Sequence, residues 1–450
     1  MVLMYNTFKS RVLEIWGHSG FQKYFRNTGW LFGEKILRMF AGLFVGVWVA
    51  RYLGPEQFGL FNYAISFAGL FTVISSFGLD TILVRELVKH KEKRDPLLGT
   101  VFVLKIIGAL TSLIILALAV FFTGNTSFEN ILIFIVASAV IFQSFNVVDL
   151  YFQSKVLSKY VVYANVISLL ITSVIKVFLI LTNSSLIYFA IVILVDSLVL
   201  MFGYIYFYKK QGLKFFKWNF DKVVAEGLLK DSWPFIISGM AIMIYVKIDQ
   251  VMIKNMLGDG AVGQYAAAVR LSEAWYFIPM IIASSLLPAI INAKKVSEKL
   301  YYERLQKFYD FMVLISITIA ISMTFLSNWI VKLLYGVQYM AAGNVLMIHI
   351  WAGIFVFLGV ANGRWMLIEN LQKFSIINTV VGAIINILLN YILIKSYGIQ
   401  GSAWATVISY AFSGYLMLLV FKKTRINFIN LSKSLFFITA FKRIKLWNAN

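Results

Sequence analysis

The chain has 450 residues, of which 60% are hydrophobic, only 14% are charged and none is cysteine. Soluble globular chains average about 45–50% apolar and about 25% charged residues, which argues against a water-soluble enzyme. The 41 Lys and Arg outnumber the 20 Asp and Glu, but they sit in short clusters between apolar runs of about 20 residues, the length that crosses a bilayer core. That distribution predicts a polytopic membrane protein and not a nucleic-acid binder. Without cysteine there are no disulfides and no thiolate metal sites.

In chain order, twelve runs are long and apolar enough to satisfy their own backbone in lipid: 30–50, 59–79, 99–122, 131–152, 161–181, 186–207, 233–253, 265–291, 311–330, 342–361, 374–394 and 401–421. The first 30 residues carry no compact apolar run followed by a small-residue cleavage site, so the first span is expected to be the anchor and no cleavable signal is expected. Segment 431–441, apolar but short and interrupted, reads as an interfacial amphipathic stretch. Segments 1–29, 80–98, 153–160, 208–232, 292–310, 362–373 and 422–450 together hold 31 Lys and Arg, whereas the intervening loops hold only Arg51, Lys254, Lys332 and Lys395. By the positive-inside rule the basic segments and both termini are cytoplasmic. Their charge also predicts affinity for anionic lipids.

One internal repeat is visible. Leu53-Gly54, Gly59, Phe61 and Ala64 recur as Leu257-Gly258, Gly263, Tyr265 and Ala268, each offset by 204 residues. Both copies lie in the outer loop between the first and second helix of a six-helix set, so the halves are parallel repeats about an axis along the membrane normal, as in alternating-access transporters. The expected organisation is a cytoplasmic segment 1–29, a six-helix bundle 30–207, a cytoplasmic linker 208–232, a second six-helix bundle 233–421 and a basic cytoplasmic tail 422–450.

The residues around this repeat also carry a family resemblance. Ala50-Arg51-Tyr52-Leu53-Gly54-Pro55-Glu56-Gln57-Phe58-Gly59, then Phe77-Gly78-Leu79-Asp80 and Arg85-Glu86, resemble the opening of Wzx-type polysaccharide repeat-unit flippases, members of the multidrug/oligosaccharidyl-lipid/polysaccharide exporter superfamily. Ile248-Asp249-Gln250, Gly263-Gln264-Tyr265, Arg270-Leu271-Ser272-Glu273, Pro279 and Pro288 are similar to that family's seventh and eighth helices, and Tyr397 to Thr406 to its last. The resemblance implies an all-α, MATE-like membrane fold in which two six-helix bundles surround a central cavity. It further implies a cargo of undecaprenyl-diphosphate-linked oligosaccharide, the bacterial or archaeal inner membrane, and a polysaccharide polymerase and chain-length regulator as partners. The alternatives are a lipid II flippase, a cation-coupled multidrug antiporter of the same superfamily and, less favoured, a membrane glycosyltransferase or polymerase.

Ionisable residues inside spans are the default functional candidates because burying charge in hydrocarbon is costly. A diphosphate needs Lys or Arg facing a hydrated cavity. The in-span cations are Lys35, Arg38, Lys105, Lys176, Lys247 and Arg270, of which Arg38, Lys247 and Arg270 are the expected cargo contacts. The plainer readings are a helical ion pair of Arg38 with Glu34, and of Arg270 with Glu273. Asp249, mid-span beside Lys247, is the candidate for proton or sodium coupling, or else a structural partner for a cation on another helix. Glu273 and Asp80 are coupling or gating candidates, Asp80 at the cytoplasmic end of the second span. Pro279 and Pro288 would break hydrogen bonds in the eighth span, Pro279 freeing the carbonyl near Trp275, either as a hinge for alternating access or as a static bend. His349 reads as an interhelical hydrogen bonder. No Gly-Lys pair occurs, which leaves no phosphate-cradling loop for an ATP-driven pump. Outer loops of only 4 to 11 residues leave little room for catalysis on sugar diphosphates. No metal or cofactor is expected.

Overall fold

Apolar runs with no water to hydrogen-bond their backbone must close their bonds internally, and the chain does so as helices. The computed structural model describes residues 19–438; the remainder of the expected N-terminal segment and tail, residues 1–18 and 439–450, lies outside the described residues. Among the described residues there are helices and turns and no strands.

The first expected pair of spans is a single long element, α1 (Ser19–Thr72), interrupted where Gly54 takes φ 68°, ψ 171°. That left-handed φ is costly for any residue with a Cβ. A 3-10 turn (Val73–Ser76), with Phe77 and Gly78 in left-handed conformations, leads into α2 (Leu79–Lys89). Then come α3 (Arg94–Phe121), α4 (Ser127–Gln143), α5 (Val147–Ser154), α6 (Lys159–Leu181) and α7 (Leu186–Lys210). Helix α4 starts at a reciprocal cap: Glu129 N donates to the Thr126 hydroxyl at 3.3 Å while Thr126 N donates to the Glu129 carboxylate at 2.5 Å, satisfying two otherwise orphaned amides.

The second half comprises α8 (Lys222–Leu257), α9 (Asp259–Glu273), α10 (Phe277–Val296), α11 (Glu298–Tyr335), α12 (Met340–His349), α13 (Ala352–Ile368), α14 (Gln372–Gly414) and a tail helix α15 (Arg425–Leu435). Helices α12 and α13 form the tenth expected span, bent by 44° at the Ile350–Trp351 junction. Helix α14 contains the last two, separated at Gly398 with φ 58°. Among the described residues, nine helical stretches, or ten with the bent pair, are long and apolar enough to cross a membrane. Two of these, 27–89 and 372–419, each hold two of the expected runs divided at Gly54 and Gly398. Counted as pairs, they account for the twelve.

The chain divides into two compact units: residues 1–49 with 71–239, and residues 50–70 with 240–450. In the first, α2, α3, α5 and α7 enclose Leu83, Leu98, Val101, Val147 and Tyr208, joined by Ala225 and Leu228 from the first turns of α8. Residues 208–232, read from sequence as a linker, pack into this unit. Trp218 Nε1 donates to the Tyr208 hydroxyl at 3.0 Å, Asn219 backbone lies against Gly99, and Asp221 caps α8 through Val223 N at 2.8 Å. In the second unit, α15 docks through polar atoms: the Tyr309 hydroxyl donates to Asn427 Oδ1 at 2.7 Å, and Asn427 Nδ2 donates to Asn362 Oδ1 at 2.8 Å.

Within the second unit the two copies of the repeat meet face to face. A Cβ built on Gly59 would fall on the Asp259 carbonyl, and one built on Gly263 would fall on the Pro55 carbonyl. The contact is reciprocal, copy to copy, and only glycine permits it.

Candidate functional site

The second unit contains a buried carboxylate cluster. Asp249, in the last third of α8 and 4% exposed, accepts from the Tyr265 hydroxyl of α9 and the Thr406 hydroxyl of α14 at 2.7 Å each through Oδ2, and from Asn390 Nδ2 at 2.7 Å through Oδ1. Asn390 Nδ2 also donates to the Asn386 carbonyl at 3.0 Å and to its Oδ1 at 3.1 Å. One buried oxygen of this neighbourhood, Asn390 Oδ1, has no hydrogen-bond partner among the described residues. Asn386 and Asn390 are both fully buried and one helical turn apart, so they present to the same face of α14. Gln250 follows Asp249 and accepts from the Ser66 hydroxyl at 3.0 Å.

Lys247 lies in the same helix, half-buried, without an ion pair among the described residues; its charge acts on Glu273, which Asp249 also influences. Arg270 is exposed and does not pair with Glu273, so the helical ion pair expected as its plain alternative is absent. Nor does Asp249 neutralise Lys247: its oxygens are taken by hydroxyl and amide donors. Asp249, Lys247, Glu273 and Arg270 thus fall in one unit, and Arg38 and Asp80 in the other.

His349 is buried and its Nδ1 lies 3.0 Å from the Ser272 hydroxyl, the interhelical bond its sequence context suggests. Around Pro279 the structure corrects the sequence reading. Helix α9 ends at Glu273, and Pro279 is the third residue of α10, where its missing N–H is one a helix start leaves unpaired anyway. The Trp275 carbonyl is not freed; it accepts from Ile278 N at 3.1 Å.

In the first unit Arg38 Nε donates to Glu34 at 2.8 Å, the expected pair one turn apart, with the Arg38 side chain 42% exposed and Glu34 buried. Asp80 is paired with Lys105, which also donates to Asn146 Oδ1 at 2.5 Å. The Lys105 side chain is 3% exposed while that of Asp80 is 46% exposed. That asymmetry sets the expected result of two substitutions. Asp80→Asn leaves an uncompensated buried ammonium and is expected to cost about 3–5 kcal/mol; Lys105→Met leaves a carboxylate that water reaches and is expected to cost less. Melting temperatures of the two purified variants in one detergent check this, and equal losses would contradict it. At the edge of the same unit Arg85 donates to Asp231 at 2.6 Å and Glu86 at 2.8 Å. Those two carboxylates, Asp231 foremost, hold its guanidinium above its ordinary pKa.

What sequence reasoning missed is the donor set around Asp249. Tyr265 entered only as a repeat and family-motif position, Thr406 only within the last-helix motif, and Asn386 and Asn390 not at all. One signal was available: Asn378, Gly382, Asn386 and Asn390 recur every four residues through an apolar run, a polar stripe along one helix face.

Comparison with known proteins agrees with this architecture. The chain is 24% identical over 196 residues to a putative O-antigen transporter of Shigella dysenteriae, a match covering 43% of this chain and 48% of that one. It is 26% identical over 188 residues to a probable low-salt glycan biosynthesis flippase of Haloferax volcanii, covering 42% and 40%. These matches therefore span less than half the length of either relative. Among solved structures, the lipid II flippase MurJ in an inward closed conformation superposes with a TM-score of 0.69 at 19% identity, over 92% of this chain and 90% of that one. An inward-facing multidrug resistance MATE family transporter of the MOP superfamily superposes with a TM-score of 0.67 at 15% identity, over 88% and 95%. The fold is accordingly the all-α, MATE-like membrane fold. The sequence profile of the polysaccharide biosynthesis protein family matches residues 24–294, more than half of the 450-residue chain, and the chain belongs to that family.

Proposed function

We propose that the protein is a flippase that moves an oligosaccharide, joined through a diphosphate to undecaprenol or a similar polyprenyl lipid, from the cytoplasmic to the outer leaflet by alternating access. The observation that carries the reading is that Lys247 and Arg270, two cations within span-forming helices of one unit, have no ion pair among the described residues. Bare cations in a membrane domain are costly unless they face water or an anion, and a diphosphate is an anion that charge-assisted bonds recognise well. Arg38, only partly exposed beside Glu34, is the third proposed contact. The relatives' printed roles in O-antigen and glycan biosynthesis agree with a saccharide cargo. The fold likeness to a lipid II flippase makes lipid II the alternative cargo.

Asp249 is the proposed coupling group, taking up a proton or a sodium ion. Its carboxylate together with Asn390 Oδ1, which has no partner among the described residues, supplies the hard oxygen ligands that such a cation prefers. Glu273 and Asp80 are proposed to respond to the same cycle, and the break between α9 and α10 beside Pro279 is its proposed pivot. The proposed setting is the cytoplasmic membrane with both termini inside, where a polymerase and chain-length regulator would receive the product.

Deletion of the gene is expected to trap lipid-linked oligosaccharide in the cytoplasmic leaflet. Wild type is expected to relieve the block, and Arg38→Ala, Lys247→Ala and Arg270→Ala, expressed at matched levels, are each expected to relieve it about tenfold less well, the cost of one lost charge-assisted contact. Oligosaccharide that still reaches the outer leaflet in the deletion strain would remove the cargo assignment. Full relief by all three variants would remove only these contacts, and accumulation of lipid II instead would favour the alternative.

A further inference from the structure

At the basic end of the second unit, α10 and α11 enclose a groove of about 320 Å³ that none of the proposed transport residues lines. Its bed is apolar, formed by Leu286, Ile290, Phe308 and Phe311, and its rim carries two cations, Arg304 and Lys307. Leu286 and Phe311 are exposed, as expected of side chains that meet lipid tails. Arg304 is fixed across the groove, its Nη1 donating to the Ala289 carbonyl at 3.0 Å. Lys307, one turn on, has no partner among the described residues. The nearby carboxylate of Asp310 is engaged elsewhere, accepting from Gln306 Nε2 at 3.1 Å and the Ser434 hydroxyl at 2.6 Å.

From Arg304 to Phe311 the helix descends seven residues, about 10 Å, comparable to the depth from the polar headgroup layer to the upper acyl region. The order along α11 is therefore cation, cation, aromatic, aromatic, running from water toward hydrocarbon. We propose that this groove binds one anionic phospholipid, its phosphate held by Arg304 and Lys307 and the first part of an acyl chain lying on the exposed Leu286 and Phe311, which the buried Ile290 and Phe308 back. Charge complementarity selects the occupant: a zwitterionic lipid brings its own cation to the two on the rim, whereas phosphatidylglycerol brings only the phosphate charge. Arg304 spans from α11 to the segment of α10 just past Pro288, so the bound phosphate would brace a helix that the proline has deprived of one backbone bond.

The experiment is native mass spectrometry of the full-length protein released from micelles containing equal amounts of phosphatidylglycerol and phosphatidylcholine. Wild type is expected to retain one phosphatidylglycerol preferentially. Lys307→Ala, which breaks no hydrogen bond in the protein, and Arg304→Ala/Lys307→Ala are expected to retain about tenfold less of it, while Arg304→Lys/Lys307→Arg keeps it. Lys422→Ala/Lys423→Ala, at another basic site, is expected to leave retention unchanged. Equal retention of both lipids by wild type, or undiminished phosphatidylglycerol on Lys307→Ala, would overturn the proposal. So would undecaprenyl phosphate displacing phosphatidylglycerol from wild type at equimolar concentration, because the groove would then hold the carrier lipid.

Discussion

Asp249→Asn is expected to leave a folded protein that no longer transports, with activity down by about tenfold or more and whatever dependence on sodium or pH the wild type shows abolished. The expectation that the fold survives rests on the donor set. An asparagine amide oxygen at this position can still accept from Tyr265 and Thr406, which now give their protons to the carboxylate. Its amide nitrogen would face Asn390 Nδ2, but Asn390 can rotate its amide and present the Oδ1 that has no partner. The rotation gives up the bonds Asn390 Nδ2 now makes to the Asn386 carbonyl and Oδ1, so the variant keeps most of the bonds around position 249 and not all of them. Asp249→Ala removes the shared acceptor altogether: Thr406 can still give its proton to the Ser402 carbonyl and Asn390 Nδ2 to Asn386, but the Tyr265 hydroxyl keeps only its 3.2 Å contact with Thr406, a loss of about 1–3 kcal/mol. It is expected to lower the melting temperature markedly. The pair of variants separates charge from structure, because both lose the negative charge that would hold a cation and only alanine loses every bond made at position 249. Transport at wild-type level by Asp249→Asn, with the same cation dependence, would make Asp249 a structural residue.

The history of this site in the sequence shows which physical signals survive without a structure. Asp249 is legible because a carboxylate in the middle of an apolar run is anomalous by itself. Its partners are not, because tyrosine, threonine and asparagine are tolerated singly in membrane helices; only the four-residue recurrence of Asn378, Gly382, Asn386 and Asn390 marks a face. Thr406 enters only as the end of the motif similar to the family's last helix, with nothing in the sequence to pair it with Asp249. It meets Asp249 because the last span returns beside α8, a relation separated by 157 positions. Arg38 and Glu34 were legible because helical spacing alone brings them together. The pairing of Asp80 with Lys105 was not, since it depends on how two helices pack. The same distinction governs the fold. Hydropathy exposes each span separately, but the reversals at Gly54 and Gly398 occupy one residue each, with helix resuming at once. The sequence instead suggests loops of 8 and 6 residues there.

The internal repeat leads to the second large expected effect. Gly59 and Gly263 occupy equivalent positions in the two copies, and each lies against backbone of the other copy: the Asp259 carbonyl in one case, the Pro55 carbonyl in the other. A methyl group at either site meets main chain, which cannot rotate out of the way as a side chain could. Gly59→Ala or Gly263→Ala must therefore push the two loops apart. Overpacking of a close contact costs about 1–3 kcal/mol, and here the displaced atoms include Pro55 and Asp259, which flank the two repeat motifs. Either substitution is expected to reduce transport strongly and to lower the melting temperature. The double variant is expected to cost less than the sum of the two, because residues that share one contact are not independent. Gly42→Ala, in α1 with nothing within 4 Å of the added Cβ, provides the control and is expected to be neutral or slightly stabilising, since alanine restricts the unfolded chain more than glycine does. If Gly59→Ala and Gly263→Ala matched Gly42→Ala in both transport and melting, close backbone contact between the two copies would not be what these glycines are for. If only transport fell while the melting temperature held, the contact would be needed in one step of the cycle and dispensable for the fold, the behaviour expected of a closure that must form and release.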